Sequence, residues 1–264
     1  IRGCMAAVGS SLASQYTKIP YTAGTAGQSI FNDGSSASLD PMADVGKVLD
    51  TNLVDQYNRS FIVSPTEAAN YRKIAAVQNA NQMGNDAVRR GGLLGMDMGF
   101  SLNMDQQTPS HTVGTITTGL ATKSATAQSG VTALVCTTAA STGACALKEG
   151  DIVVVDSVSY ALQADATQAV AATDVTLTLD RPLEVDVTGG EAVTIATGAG
   201  TGTQNIAGDL RGFELFNRIP QAAASGMTAL QEPMVITHSS GVSLLMGYYK
   251  QNMRTVWESS ILFG

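Results

Sequence analysis

Apolar residues fall on every second position from Met96 to Met104, with Asp97, Gly99, Ser101 and Asn103 between them. A period of two puts alternate side chains on opposite faces of an extended chain. Leu93 to Met104 therefore reads as a strand with Met96, Met98, Phe100, Leu102 and Met104 on one buried face. A soft-metal site is the poorer reading. No Cys or His lies between Ile74 and Ser110 to complete a ligand set, and unbranched Met is a common core filler.

Upstream the spacing is helical. Met5, Val8, Leu12 and Tyr16 form a stripe that predicts a helix over Ile1 to Tyr16. Pro20 to Ser38 is rich in Gly, Ser and Thr without periodicity and reads as a long surface loop. Asp40-Pro41 then supplies an N-cap and a first-turn proline, with Val45, Val48, Leu49 and Leu53 as the buried stripe of the next helix. Ser60 to Val63 is a short strand running into Ser64-Pro65-Thr66-Glu67. That tetrad is a capping box: Ser64 Oγ accepts from the Glu67 N–H, and the Glu67 carboxylate accepts from the Ser64 N–H. The helix it starts should cover about Pro65 to Val77. Asn85 to Arg90 adds one turn, ended by Gly91-Gly92.

At Thr115 the pattern changes to β-branched runs: Asp151 to Tyr160, Val175 to Leu179 and Ala192 to Ile195. Glu149-Gly150, Asp180-Arg181-Pro182 and Thr188-Gly189-Gly190 are the turn formers between them. Tyr160 is the only aromatic residue from Thr115 to Asn205, which marks this stretch as an inserted β domain. Gly198, Gly200 and Gly202 close it as a flexible joint. They are not a phosphate loop, since no Lys-Ser or Lys-Thr follows. Helical and mixed character returns at Leu210 to Phe216, and strands follow at Val242 to Tyr249 and Arg254 to Phe263.

Composition narrows the function. The chain has 264 residues, 44% of them hydrophobic and only 14% charged, so it can bury a core but has few charges to keep copies apart. A net charge of -7 argues against a free nucleic-acid-binding protein. Much of that charge is local: Thr115 to Asn205 holds three basic residues, Lys123, Lys148 and Arg181, against nine acidic ones. Cys4, Cys136 and Cys145 are an odd, widely spaced set without a CxxC pair. They read as free thiols in a reducing compartment, with a Cys136–Cys145 bridge as the alternative. No apolar run reaches the ~18 residues of a membrane span, and no signal-peptide pattern is present.

Candidate chemistry is sparse. His111 and His238 are the only histidines, and neither sits in a nucleophile elbow or a metal-ligand spacing. Asp151, Asp156, Asp165 and Asp174 lack the spacing and turn glycine of a calcium loop and read as solvated strand ends. Arg89-Arg90 complements the negative end of a helix, with nucleic-acid contact as the alternative. No catalytic, cofactor-binding or metal residues are assigned, and no cofactor is expected.

Five segments, in this order, carry a family resemblance: FIVSPTEAANYRKIA, GGLLGMDMGFSLNMD, TPSHTVGT, LKEGDIVVVDSVSYAL and GVSLLMGYYKQNMRTVWESSILFG. They span most of Ser60 to Gly264. The chain resembles the major capsid proteins of tailed bacteriophages, in particular podovirus-type coat proteins with a β domain inserted in the shared tailed-phage and herpesvirus capsid fold.

The resemblance implies an α+β fold with axial and peripheral domains. Residues 1–114 would be the end of the spine helix and the first part of the axial domain, 115–205 the insertion, and 206–264 the return to the axial and peripheral domains. It also implies an N-terminal arm, an extended loop and the start of the spine helix ahead of Ile1. None of these is in this sequence, as would follow from processing or from a longer parent chain.

The implied function is a structural subunit, not an enzyme, that self-assembles into an icosahedral shell around double-stranded DNA. Its partners would be copies of itself in hexameric and pentameric capsomers, with scaffolding, portal and decoration proteins besides, and packaged DNA bound without sequence specificity. It would be assembled in the host cytoplasm, reside in the virion and touch no membrane. The acidic insertion is expected to face outward or along capsomer seams, away from DNA of like charge. A bacterial nanocompartment shell protein and a secreted β-rich adhesin module are the alternatives.

Overall fold

In this computed structural model the described residues are 2–31, 38–79, 94–116, 119–123, 129–138, 145–168, 174–212, 214–218, 231–251, 254–260 and 262–263. Internal contacts divide the chain into two units, Ile1–Leu12 with Arg211–Gly264, and Ala13–Leu210. The expected turn at Asn85 to Arg90, with Arg89, Arg90, Gly91 and Gly92, lies outside the described residues, as does the Cys4 side chain.

Helix α1 covers Arg2–Ala13 and passes into a 3-10 turn at Ser14–Lys18, as the Met5-to-Tyr16 stripe predicts. Helix α2 covers Asp40–Thr51. It begins one residue early: Asp40 is helical, and Ser38 Oγ accepts the Asp40 N–H at 3.0 Å. Met42 and Val45 face the core, but Leu53 does not belong to the buried stripe. The helix closes before it. The Leu53 N–H donates to Asp50 O and the Val54 N–H to Leu49 O, a Schellman closure that needs a left-handed residue at Leu53, whose φ is 58°.

Strand β1 (Arg59–Val63) leads into helices α3 (Pro65–Lys73) and α4 (Ala75–Gln78), which are separated at the buried Ile74, where the backbone is extended. Only half of the expected capping box forms. Ser64 Oγ accepts the Glu67 N–H at 3.2 Å, but the Ser64 N–H goes to Asn205 Oδ1 at 3.0 Å. This frees the Glu67 carboxylate to accept from Ser29 Oγ at 2.7 Å, which ties the upstream loop to α3.

The alternating segment is a hairpin, not one strand. Strands β2 (Met96–Asp97) and β3 (Phe100–Met104) pair through Asp97 and Phe100, leaving the two-residue turn Met98-Gly99. Both turn residues have positive φ, 45° and 83°, the signature of a type I′ turn. Reversal of the chain at Met98 breaks the alternation, so Phe100 and Leu102 are buried while Met96, Met98 and Met104 stay exposed. The expectation of five side chains on one buried face is therefore corrected to two.

The β1 strand lies parallel to β3 and antiparallel to Ile206–Asp209, giving a mixed four-stranded sheet. Phe61 and Phe100 from this sheet and Tyr71 from α3 form an aromatic core, with ring centroids of Phe31 at 6.2 Å from Phe61 and 5.3 Å from Tyr71. Phe31 comes from the stretch expected to be a surface loop, yet its exposure is 0%. The loop is irregular, and it still anchors itself in the core.

Strand β4 (Ser110–Thr112) leads into the Thr-rich segment. Strands β5 (Thr115–Ile116), β6 (Leu120–Thr122), β7 (Ala133–Thr138) and β8 (Cys145–Leu147) come next. DIVVVDSVSY is again a hairpin, β9 (Ile152–Val155) and β10 (Val158–Ala161), turned at Asp156-Ser157 with φ 46° and 68°. Strands β11 (Ala166–Gln168), β12 (Asp174–Thr178) and β13 (Ala192–Ile195) complete the segment, the last two close to where the β-branched runs predict them.

These strands make a six-stranded antiparallel sheet in the order β10-β9-β13-β6-β7-β12 and a three-stranded sheet in the order β11-β8-β5. Between them lies a separate hydrophobic core including Leu120, Leu134, Val153, Tyr160 and Leu177. On β12, Val175 and Leu177 point in and Asp174, Thr176 and Thr178 point out, the period-two pattern of a sheet with one wet face.

Strands β14 (Thr201–Thr203) and β15 (Ile206–Asp209) end the larger unit. In the smaller one, β16 (Asn217–Arg218) pairs with β20 (Leu262–Phe263), and β17 (Gln231–Thr237), β18 (Ser243–Gln251) and β19 (Arg254–Ser260) form an antiparallel meander. The β17 register shifts between Gln231 and Met234, where Pro233 has no N–H to give to the ladder.

Phe31→Ala should cost about 3–5 kcal/mol, the usual range for a fully buried aromatic and far above that for a loop residue. Urea denaturation of the two proteins checks this.

Candidate functional site

The most chemically loaded constellation joins three parts of the chain that are far apart in sequence. The 3-10 turn supplies Tyr16, β4 supplies His111, and the loop before β9 supplies Asp151. His111 Nε2 lies 2.8 Å from Asp151 Oδ1, and its Nδ1 lies 3.0 Å from the Tyr16 hydroxyl. A carboxylate only accepts, so Nε2 carries a proton, and in the neutral ring Nδ1 then accepts from Tyr16 O–H. The rings of Tyr16 and His111 meet edge to face with centroids 5.6 Å apart.

Asp151 is 1% exposed and is held from several sides. Besides His111 it accepts the Lys148 N–H at 2.7 Å and the Gly114 N–H at 3.0 and 3.2 Å on its two oxygens. This is why a charged residue tolerates burial: each lone pair has a donor. Burial, followed by the carboxylates of Glu149 and Asp151, pushes the Tyr16 hydroxyl pKa up, which keeps it a neutral donor.

The backbone is shaped around this carboxylate. A Cβ on Gly114 would stand 2.2 Å from Ala146 O and 2.6 Å from Asp151 Oδ2. Gly150, with φ 90°, lets the loop pass Tyr16 and His111. The chain leaves for the Thr-rich segment at β4 and returns at β14, and the two pair with Gly202 opposite His111.

Glycines 198 to 202 are thus not a loose joint. Thr201–Thr203 is a paired strand, and a Cβ on Gly200 would meet Ala26 O at 2.5 Å. The Ala26 N–H donates to Thr197 O, and Gln163 Nε2 donates to Thr17 O. Arg181 stacks on Tyr160 at 4.9 Å and on Tyr21 at 5.8 Å. Residues from Tyr16 to Gly27 therefore strap across the segment.

Both His111 nitrogens and both Asp151 oxygens have partners within the chain, which fixes the orientation of the imidazole between Tyr16 and Asp151. His238 is spent differently, in a turn where its Nδ1 accepts the Ser240 N–H at 3.2 Å and lies 2.9 Å from Ser240 Oγ. Of the four aspartates expected at solvated strand ends, Asp156, Asp165 and Asp174 are exposed and Asp151 is the exception. Asp165 accepts from the Glu149 N–H and Lys148 Nζ, and Asp174 pairs with Lys123. Sequence spacing gave no sign of the Tyr16–His111–Asp151 link, because its members are 95 and 40 residues apart.

Cys136 and Cys145 are free thiols buried in the core of the Thr-rich segment. Burial first, and the neighbouring Cys145 second, push the Cys136 thiol up to about 12. Among the described residues no group of three His, Cys, Asp or Glu side chains is placed to hold a metal ion, and no helix is long and apolar enough to cross a membrane.

No protein-family model matches the chain. No curated protein matches it either. Among solved structures, a chain from Mycobacterium phage Che8 is similar over 76% of this chain and 59% of that one, with 16% sequence identity and a TM-score of 0.33. This chain thus matches less than two thirds of the phage chain's length. The likeness is to a phage protein and is too loose to carry a fold or a role across.

Two measurements test this account. Gly114→Ala should destabilise the chain by more than about 2 kcal/mol, since its methyl must displace backbone or a buried carboxylate, as thermal melting would register. Cys136 should resist alkylation in the folded chain at pH 8 and react once urea unfolds it, as mass spectrometry of labelled peptides would report. The raised thiol pKa sets the sign with pH: its contribution to stability is present below about pH 9, the ordinary value, and is lost as pH rises towards 12.

Proposed function

We propose that this chain is the major capsid protein of a tailed bacteriophage, a structural subunit of the shell around double-stranded DNA. The observation that carries the proposal is the order of the five resembling segments from Phe61 to Gly264. Each is weak alone, but their succession is specific. The physical chemistry agrees with it. A shell subunit requires no active site, and the His111 ring serves to tie Tyr16 to the buried Asp151. It does require broad surfaces of low charge that neighbours cover, and only 14% of the residues are charged.

In this reading residues 115–205 are an insertion in the capsid fold. Their nine acidic and three basic residues favour an outward or seam position, since an inward one would set like charges against DNA. Partners are further copies in hexamers and pentamers, with scaffolding, portal and decoration proteins around them.

Electron microscopy of the purified assembly tests the proposal. Closed icosahedral shells containing DNA are the expected result. Shells filled with cargo protein would transfer the chain to the nanocompartment class, and dispersed monomers at high concentration would overturn both.

A further inference from the structure

The meander of β17, β18 and β19 has two edges of unlike character. On β17 the edge is broken by Pro233 and by the register shift between Gln231 and Met234, devices that hinder a further strand from joining. Strand β19 has no such guard. It contains neither proline, glycine nor lysine, its centre is Thr255-Val256-Trp257, and among the described residues its ladder is to β18 alone. Alternate residues of an antiparallel strand turn their N–H and C=O to opposite neighbours, so about half of its backbone groups face away from β18. Of the described edge strands it is the longest without a proline.

The charges on β19 fit one occupant of that edge. Arg254, Val256 and Glu258 share one face of the strand, with the two charges placed symmetrically about Val256. The ladder to β18 sets Gln251 opposite Arg254 and Gly247 opposite Glu258, so neither meets an opposite charge across that pair of strands. An antiparallel copy of β19, turned about a two-fold axis at Val256, sets Arg254 of each strand opposite Glu258 of the other, and Thr255 opposite Trp257. A shift by two residues, the smallest that keeps the faces matched, loses both charge pairs.

We infer that β19 pairs antiparallel with β19 of a second copy of this chain about a two-fold axis at Val256, joining two three-stranded meanders into one six-stranded sheet. Such a contact is isologous, the same residues serving on both sides. Backbone hydrogen bonds supply the attraction. The two Arg254–Glu258 pairs fix the register, since like charges directly opposite each other disfavour pairing. The inference deepens the shell-subunit reading by naming a two-fold contact between subunits.

Crosslinking of the full chain at the axis tests it, because a residue on a two-fold axis faces its own copy. With glutathione disulfide as oxidant, V256C should give a disulfide-linked dimer on a non-reducing gel, well above the background from the native thiols of the wild type. R254E/V256C sets glutamate against glutamate, and V256C/E258R sets arginine against arginine. Each alone should crosslink roughly tenfold less than V256C. An equal mixture of the two should recover the yield as a mixed dimer, and R254E/V256C/E258R should recover it alone. A purely intrachain role for Arg254 or Glu258 predicts no recovery on mixing. If V256C gives no dimer, or mixing restores nothing, from chains that are folded by circular dichroism and form shells by electron microscopy, the inference is overturned and the subunit reading stands. Crosslinking in this pattern by a chain that never forms shells would overturn the subunit reading and support the strand pairing.

Discussion

A buried carboxylate has to be given donors, and Asp151 obtains them from three places in the chain. Its two oxygens take the backbone N–H groups of Gly114 and Lys148 and the imidazole of His111, which in turn receives Tyr16. Loss of any donor would leave charge in a site of low dielectric, so the segments that carry them are constrained to converge. This convergence fixes where the Thr-rich segment leaves β4, how closely β8 passes Gly114, and how the 3-10 turn at Ser14–Lys18 lies against both.

Glycine then has a different role from the one composition suggests. A run of alternating glycines reads as a flexible joint, yet Gly200 and Gly202 lie where two backbones touch, against Ala26 and Gly27. Absence of a side chain gives clearance there, not freedom. Together with the stacking of Arg181 on Tyr21 and Tyr160, these contacts make residues 16–27 a strap that orders its own loop and the segment beneath it.

Local rules were legible in the sequence wherever the determining partners were local. The Ser64 cap of α3, the Pro41 start of α2 and the β-branched strands β12 and β13 follow from neighbouring residues alone. The capping box failed in part because a distant group competed. Asn205 took the N–H intended for Glu67, and Glu67 turned to Ser29. The Met98 and Asp156 turns were hidden because apolar alternation runs on through a two-residue hairpin, and neither Met-Gly nor Asp-Ser announces a type I′ turn as Asn-Gly does. The Tyr16–His111–Asp151 link was not legible at all. Residue types without the spacing of a motif carry no information about which of them meet.

Positive-φ residues outside glycine divide into two groups by what their side chains can return. Asn58, Asp156 and Ser157 are short and polar, and such residues tolerate the left-handed region by bonding locally. Leu53 and Met98 gain nothing of the kind, and both are exposed. A chain selected only to fold alone would place glycine or asparagine at these turns and polar side chains on their surface. Leu53 and Met98 depart from that rule in backbone and in burial together.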